Sequence, residues 1–276
     1  MFANLKLAAA AIASAVLVTA CAATSSRQGT AEALTGILAA DYRAEENRAR
    51  DRYRHPKETL LFFGIRPEMS VLEVWPEPGW YTEVIAPLVR DKGRYYAAVI
   101  AADPESKYIT QRLEKYRQKL AERPNVYDHV AVVSFPADGG DAVPPASVDM
   151  VVTFRNIHNW MSRGTTAQAF ATMYSALRPG GVLGVVEHRG NPAVAQDPKA
   201  KSGYVNEDYA IKLIEAQGFR LVGKSQVNAN ARDTKDYEQG VWTLPPTYRL
   251  GDKDRDKYAA IGESDRFTLR FAKPLK

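Results

Sequence analysis

The chain has 276 residues, of which 45% are hydrophobic and 25% are charged, and this composition is typical of a globular protein rather than a fibrous or disordered one. The formal net charge of +5 arises from charges of both signs interleaved along the chain, so no nucleic-acid partner is expected. The single cysteine excludes an internal disulfide and a cysteine-based metal cage.

Residues 1–20 have the features of an export signal. Lys6 supplies a positive charge, and Leu7 to Val18 form an apolar run that is too short to span a bilayer comfortably. The small residues that end at Ala20 resemble a bacterial lipobox, in which the following Cys21 becomes the lipidated first residue; the alternative is a plain secretory signal cut after Ala20. Because Ala22 is not acidic, the resemblance implies a lipid anchor at Cys21 on the periplasmic side of the outer membrane.

The mature chain is predicted to begin with a flexible tether over residues 21–40, because small polar residues are frequent there. One domain is predicted to follow over residues 41–276. Its first part, from Asp41 to Phe63, predicts helical structure with a break at Pro56 and a C-cap at Gly64.

Short apolar runs then alternate with segments of helical spacing. The runs predict strands at Val71–Trp75, Tyr95–Ile100, Val126–Phe135, Val148–Phe154, Val182–Glu187, Phe219–Val227 and Phe267–Ala272. The segments predict helices at 79–90, 104–122, 165–177 and 206–217. This alternation indicates an α/β fold with a Rossmann-like, seven-stranded, mostly parallel sheet, helices on both faces and an antiparallel last strand.

Ligands of such sheets bind beyond the carboxyl ends of the strands, so the residues that follow the strands are the candidate site. Four polar side chains directly follow the fourth strand: Arg155, Asn156, His158 and Asn159. Glu187 and His188 end the fifth strand and suit either ligand contact or pairing with nearby arginines. The polar segment 228–266 begins at the same edge and is predicted to cover it as a lid.

Three further residues each allow two interpretations. Glu73 lies within an apolar strand, where a buried carboxylate needs either a salt bridge or a ligand. Asp103 follows the second strand and suits a helix cap or a ribose ligand. Trp160 suits a packed aromatic residue or a surface on which a ligand stacks.

The order of elements, the turn from Val71 to Gly79 and the segment Leu177–Leu183 resemble the class I S-adenosylmethionine-dependent methyltransferases. A narrower resemblance, to exported bacterial predicted methyltransferases, rests on four stretches: Arg54-His55-Pro56, Gly79–Glu83, Phe154–Trp160 and Gly262–Arg266. Together these resemblances cover residues 41–276 and imply methyl transfer from S-adenosylmethionine to a small-molecule acceptor.

Combined with the strand-end rule, the resemblance implies one set of cofactor-binding candidates: Glu73, Trp75, Gly79, Asp103, Asp138, Arg155 and Asn156. In the family pattern, Glu73 would face the amino-acid end of the cofactor, Asp103 the ribose hydroxyls and Asp138 the adenine amine. His158 and His188 are the candidate catalytic bases, since an unperturbed imidazole titrates near neutral pH.

The turn after the first strand departs from the family pattern, because Gly79 alone remains of its usual glycines. Prolines remove N–H donors from the turn, and Glu77 adds a negative charge. The alternative function is therefore a non-enzymatic periplasmic protein that binds a small molecule or a partner on a degenerate methyltransferase scaffold. His158, Glu187 and His188 are also of the types that bind zinc, but their spacing matches no known motif, and no metal is assigned.

Overall fold

The computed structural model describes residues 26–103 and 105–276. The predicted signal 1–20, the proposed lipidation site Cys21 and the predicted first helical residue Pro104 lie outside the described residues. The strands are β1 (Ser70–Val74), β2 (Arg94–Ile100), β3 (Val130–Phe135), β4 (Val148–Phe154), β5 (Leu177–His188), β6 (Arg220–Ser225) and β7 (Arg266–Ala272). They form one sheet in the order β3-β2-β1-β4-β5-β7-β6.

The sheet is parallel except at β7, which runs antiparallel to both β5 and β6. The helices are α1 (26–39), α2 (Glu45–Arg48), α3 (Asp51–Arg54), α4 (Pro56–Phe63), α5 (Thr82–Val89), α6 (Lys107–Glu122), α7 (Pro124–Tyr127), α8 (Ile157–Arg163), α9 (Thr166–Ala176), α10 (Glu207–Glu215) and α11 (Arg255–Ile261). These elements confirm the predicted fold class.

Both faces of the sheet are buried at its central strands, such as β1 and β4, as expected for parallel strands that are mostly apolar. Val71 packs in an apolar cluster with α4 and α5, whereas the next residue, Leu72, packs in a second cluster with α8, α9 and α10. Successive side chains of a strand point to opposite faces, so the two clusters are the two helical layers of the fold.

The flexible tether predicted over residues 21–40 is not what the structure shows for most of that segment. Residues 26–39 form helix α1, and Leu34 is fully buried in the cluster beside α4 and α5. Burial of one leucine side chain contributes roughly 1.5–3 kcal/mol, and this contact fixes the helix against the domain.

Two other predicted boundaries are also corrected. Helix α6 begins after Ser106, whose hydroxyl accepts a hydrogen bond from the Ile109 N–H at 3.4 Å, so Ser106 rather than Asp103 is the N-cap. The segment at Val126 belongs to helix α7, and β3 starts only at Val130. Pro124 explains the helix, because proline suits a first helical position.

The segment between β6 and β7 contains more regular structure than the sequence indicated. A 3-10 helix (Gly240–Thr243) and α11 lie within it, and Tyr258 is the only buried residue of α11. A helix with one buried position lacks the apolar periodicity that predicts helices from sequence. Within residues 26–103 and 105–276, no helix is both long and apolar enough to cross a membrane.

Candidate functional site

A cavity of about 330 Å³ opens beyond the carboxyl ends of β1, β4 and β5, and its size is within the range of small-molecule sites. It lies where β1 and β4 are neighbours, which is the point at which the strand order reverses and ligands bind in such sheets. Six predicted site residues line it: Glu73, Trp75, Arg155, Asn156, His158 and His188. The cavity therefore joins residues from three strand ends.

Three predicted cofactor residues do not line this cavity. Asp103 and Asp138 are exposed, and the Asp103 carboxylate accepts a hydrogen bond from the Glu105 N–H at 3.0 Å within its own turn. Gly79 has φ of +93° and faces the Tyr116 and Lys119 side chains, which a Cβ atom would approach to 3.0–3.1 Å. Gly79 thus shapes the turn, since a larger residue would be strained there.

Two of the lining residues have structural contacts as well. The Asn156 amide donates hydrogen bonds to the Val74 carbonyl at 3.0 Å and to the Thr153 hydroxyl at 3.1 Å, which ties the end of β4 to that of β1. The Trp75 ring packs edge-on against Trp160 at a centroid distance of 5.5 Å. Trp160 itself is fully buried, which confirms its interpretation as a packed aromatic residue.

Glu73 is a buried carboxyl group at the floor of the cavity. It is 3% exposed, and the Tyr95 hydroxyl donates a hydrogen bond to its Oε2 at 2.6 Å. Burial raises the pKa of Glu73 to about 8, with a further rise from the neighbouring Glu77, while the Tyr95 hydrogen bond and Arg155 act in the opposite direction. At pH 7 the group is therefore mostly protonated.

Glu77 is a site residue that sequence reasoning treated only as a disturbance of the turn. Its Oε1 accepts a hydrogen bond from the Ile100 N–H at 3.0 Å, so the carboxyl group lies at the carboxyl end of β2. Its Oε2 is buried and has no hydrogen-bond partner among the described residues. Burial raises the pKa of Glu77. This orphaned oxygen, rather than the exposed Asp103, is the acceptor available to a ligand at β2.

Helix α8 positions the first histidine. Residues 157–163 belong to none of the predicted helices, but they form a helix in which Ile157, Trp160 and Met161 are buried. This i, i+3, i+4 spacing is a helical signal that the sequence does contain. The helix places His158 in its first turn, at the wall of the cavity.

His158 and Glu187 form a buried pair. The His158 Nδ1–H donates to Glu187 Oε1 at 3.1 Å, and the His158 backbone N–H donates to Oε2 at 3.3 Å. Because the carboxylate holds the proton on Nδ1, the Nε2 atom of His158 keeps the basic lone pair. This is the arrangement of a general base with an orienting carboxylate.

His188 lies beside this pair, with its ring centroid 5.4 Å from that of His158. Its Nδ1 shares a hydrogen bond of 2.5 Å with the Ser264 hydroxyl. Burial, followed by the charges of His158, Arg266 and Arg155, holds the pKa of His188 well below its ordinary value. His188 is thus neutral at physiological pH.

The structure also brings together the three residues of the metal interpretation. Ligand atoms of His158, Glu187 and His188 lie within 4.8 Å of one another. The Glu187 carboxylate, however, already accepts N–H bonds from both histidines, including that of the His188 backbone at 2.7 Å. Arg155 and Arg266 add positive charge at the same place, which favours the general-base interpretation over a cation site.

An arginine cluster, consisting of Arg50, Arg54, Arg155 and Arg266, forms the opposite wall of the cavity. Glu263 binds three of its members: its oxygens lie 2.6 Å from Arg50 Nε and 3.3 Å from Arg54 Nε, and it pairs with Arg266. Burial and the neighbouring Arg155 charge hold the pKa of Arg54 well below its ordinary value.

Two of the stretches that carry the family resemblance, Arg54-His55-Pro56 and Gly262–Arg266, have no role assigned from the sequence, and they meet at this wall. Arg54 and Glu263 are 209 positions apart in sequence. The predicted lid segment also contributes, because Trp242, Pro245 and Ser264 line the cavity. No periodicity of the sequence indicates such a long-range pairing.

Comparison with solved structures places the fold among methyltransferases. A SAM-dependent methyltransferase from Aquifex aeolicus aligns with a TM-score of 0.55 and 15% identity over 82% of this chain and 93% of its own. The [4+2]-cyclase SpnF aligns with a TM-score of 0.57 and 16% identity over 86% of each chain. The glycopeptide N-methyltransferase MtfA aligns with a TM-score of 0.52 and 14% identity over 81% and 91%. No protein-family model and no curated protein matches the chain.

Proposed function

We propose that this protein transfers a methyl group from S-adenosylmethionine to a small acceptor. The observation that carries the proposal is that one cavity is lined by Glu73, Glu77 and His158, and that the His158 ring is paired with the buried Glu187. Fold similarity to SAM-dependent methyltransferases supports it, although chemistry depends on the site rather than on the fold.

The residues present fit this cofactor at two points. The orphaned Oε2 of Glu77 at the end of β2 suits the vicinal hydroxyls of a ribose. Glu73 suits the positively charged amino-acid end, since a nearby cation stabilises the ionised carboxylate. Trp75 has φ of +52° and completes the turn between them. When bound, the cofactor supplies an electrophilic methyl group on a sulfonium.

The chain's own contribution is alignment and proton removal. His158 Nε2 is the atom that would accept a proton from the acceptor, and Glu187 would stabilise the imidazolium that results. Neutral His188 is the second candidate for the same proton. Because positioning alone contributes several kcal/mol to a two-substrate reaction, the buried hydrogen bonds that fix these rings are part of the mechanism.

We expect S-adenosylmethionine to bind the purified protein in a calorimetric titration, and Glu77→Gln to weaken binding by roughly 10- to 100-fold, because hydrogen bonds to a charged group contribute about 1.5–3 kcal/mol. Asp103→Asn is the matched control and should bind like the wild type, since Asp103 is exposed and off the cavity wall. Absence of binding at millimolar cofactor would contradict the proposal, and the reverse ranking of the two variants would contradict the role of Glu77.

The second candidate function is a non-enzymatic binding protein on the same scaffold. The observation that favours it is the turn 75–78, where Trp75, Pro76, Glu77 and Pro78 replace small residues beside the cavity. SpnF, a cyclase by its description, has the same fold, so the scaffold is compatible with other chemistry. A different small molecule copurifying in native mass spectrometry, together with no binding of S-adenosylmethionine, would favour this candidate.

We also propose that the mature protein is lipid-anchored at Cys21 on the periplasmic face of the outer membrane. The apolar run that ends at Val18 and the small residues before Cys21 support this proposal. Acyl chains would hold the protein firmly, because each buried methylene contributes roughly 0.8 kcal/mol.

Metabolic labelling with radioactive palmitate should therefore label the wild type, and Cys21→Ala should remain unlabelled and leave the membrane fraction. Thr24→Ala is the control and should be labelled normally. A labelled Cys21→Ala variant would contradict the anchor.

A further inference from the structure

The cavity is divided by charge. The carboxyl groups of Glu73 and Glu77 lie at the ends of β1 and β2, whereas Arg155 and Arg266 come from β4 and β7, on the other side of the strand reversal. Arg50 and Arg54, from the helices before β1, join the positive side. Arg112 also lines the cavity and donates to the Glu77 carbonyl at 2.8 Å, so the side with the two carboxyl groups holds one guanidinium group and the other side holds four.

The positive side carries more charge than the protein neutralises. In the part of the chain that the structure describes, its guanidinium groups form ion pairs with one carboxylate, Glu263, while the charge of Arg155 also acts on Glu187 and on the mostly protonated Glu73. Among the described residues, Arg155 forms no ion pair, and Arg50 NH2 and Arg266 Nε are buried without a hydrogen-bond partner. Arg54 and Arg266 are each only 3% exposed. Uncompensated buried cations are costly, so this wall is suited to an anion supplied by a ligand.

On the basis of the proposed function, we infer that the acceptor carries an oxyanion, either a carboxylate or a phosphate, which binds to Arg155 and its neighbours Arg54 and Arg266. Guanidinium groups bind both kinds of oxyanion through paired, charge-assisted hydrogen bonds. The orphaned N–H groups are the donors that such a ligand would satisfy.

The position of the histidines assigns this oxyanion to the acceptor rather than to the methyl donor. His188 lies directly opposite Arg266 in the register of β5 and β7, and the charges of Arg266 and Arg155 both act on its ring. The base must lie next to the acceptor atom that loses a proton. The arginine cluster is next to the candidate bases, whereas the acidic end of the cavity suits the cationic donor.

The test uses inorganic phosphate as the probe, with binding measured from its ³¹P line width at constant ionic strength. Arg155→Gln should weaken phosphate binding by roughly 10- to 100-fold and should fold, since Arg155 is half-buried and its replacement breaks no ion pair within the described residues. Arg155→Lys keeps the charge but loses the paired hydrogen-bond geometry, so its affinity for phosphate should lie between those of the wild type and Arg155→Gln. Arg117→Gln, an equal loss of charge on the exposed face of α6, should match the wild type.

Each remaining outcome decides one question. If acetate displaces phosphate, the oxyanion of the acceptor is a carboxylate. If phosphate stays bound in the presence of acetate, the oxyanion is a phosphate. Phosphate binding that persists in saturating S-adenosylmethionine supports the acceptor site. Displacement of phosphate by S-adenosylmethionine would overturn it, because the cluster would then hold the donor's own carboxylate. Equal phosphate binding by the wild type and Arg155→Gln, or no binding at all, would also overturn it.

The same samples separate this inference from the proposed function. Binding of S-adenosylmethionine without binding of phosphate would leave methyl transfer standing and remove the oxyanion site. If the protein binds phosphate but does not bind S-adenosylmethionine, methyl transfer is contradicted, and so is the assignment of the oxyanion to an acceptor. The arginine cluster would then remain as the anion site of a binding protein.

Discussion

Replacing Glu263 with glutamine is expected to lower the free energy of unfolding by about 3–5 kcal/mol, the cost of removing one partner from a buried ion pair. The carboxylate is 3% exposed and pairs with Arg50, Arg54 and Arg266. Without it, the buried Arg54 and Arg266 lose the only carboxylate with which they form an ion pair among the described residues. Urea denaturation of the wild type and Glu263→Gln, followed by circular dichroism, measures the loss.

Glu238→Gln is the matched control for this substitution, because Glu238 pairs with Lys253 at 3.0 Å on the surface, where both side chains are more than half exposed. An exposed pair contributes at most about 1 kcal/mol. Although burial acts in the opposite direction, the neighbouring arginines hold the pKa of Glu263 well below its usual range. The contribution of Glu263 to the free energy of unfolding is therefore fully present above its unfolded-state pKa and is lost as the pH falls from there through its lower folded-state pKa. Equal losses from both variants would contradict the central place of Glu263.

Glu73→Gln should change how stability depends on pH. Native Glu73 has a pKa of about 8 against an ordinary value of 4.5, so between these values the folded state holds a proton that the unfolded state has released. Wild-type stability from this group is therefore greatest below pH 4.5 and falls as the pH rises to about 8. Because one pKa unit corresponds to about 1.4 kcal/mol, the fall amounts to on the order of 5 kcal/mol.

Glutamine cannot ionise, so Glu73→Gln should become progressively more stable than the wild type as the pH rises from 5 to 9. The Tyr95 hydroxyl, which donates to Glu73 Oε2, can still donate to a glutamine oxygen. Glu114→Gln, on the exposed face of α6, is the control and should differ from the wild type by a constant amount over this range. A constant difference for Glu73→Gln as well would show that Glu73 is ionised in the native state.

Local pattern was sufficient to predict the sheet. The largely apolar run Val148–Phe154 matches β4 residue for residue, because a strand buried on both faces is apolar at most of its positions. The edge where ligands bind followed from topology alone, and it correctly brought Glu73, Arg155 and His158 to one cavity. The role of each residue there stays a prediction.

The rest of the site depends on contacts that no local pattern encodes. Arg54 and Glu263 meet only because α3 and the segment before β7 pack at the same edge, and the charged sequence around each is typical of a solvated surface. Asp103 is the residue predicted for the ribose because it follows β2 in the sequence, whereas in the structure the turn after β1 carries Glu77 across to the end of β2. Such choices depend on the three-dimensional path of a turn.

The position of β7 has a consequence for when the protein acquires its cavity. This strand follows β6 in the sequence, yet it lies between β5 and β6 in the sheet, and the residues just before it supply Glu263 and Ser264 to the cavity wall. A nascent chain on the ribosome therefore lacks one wall until the segment before β7 has also been synthesised. Contacts between distant parts of a sequence also form slowly, so ligand capture must follow the completion of folding.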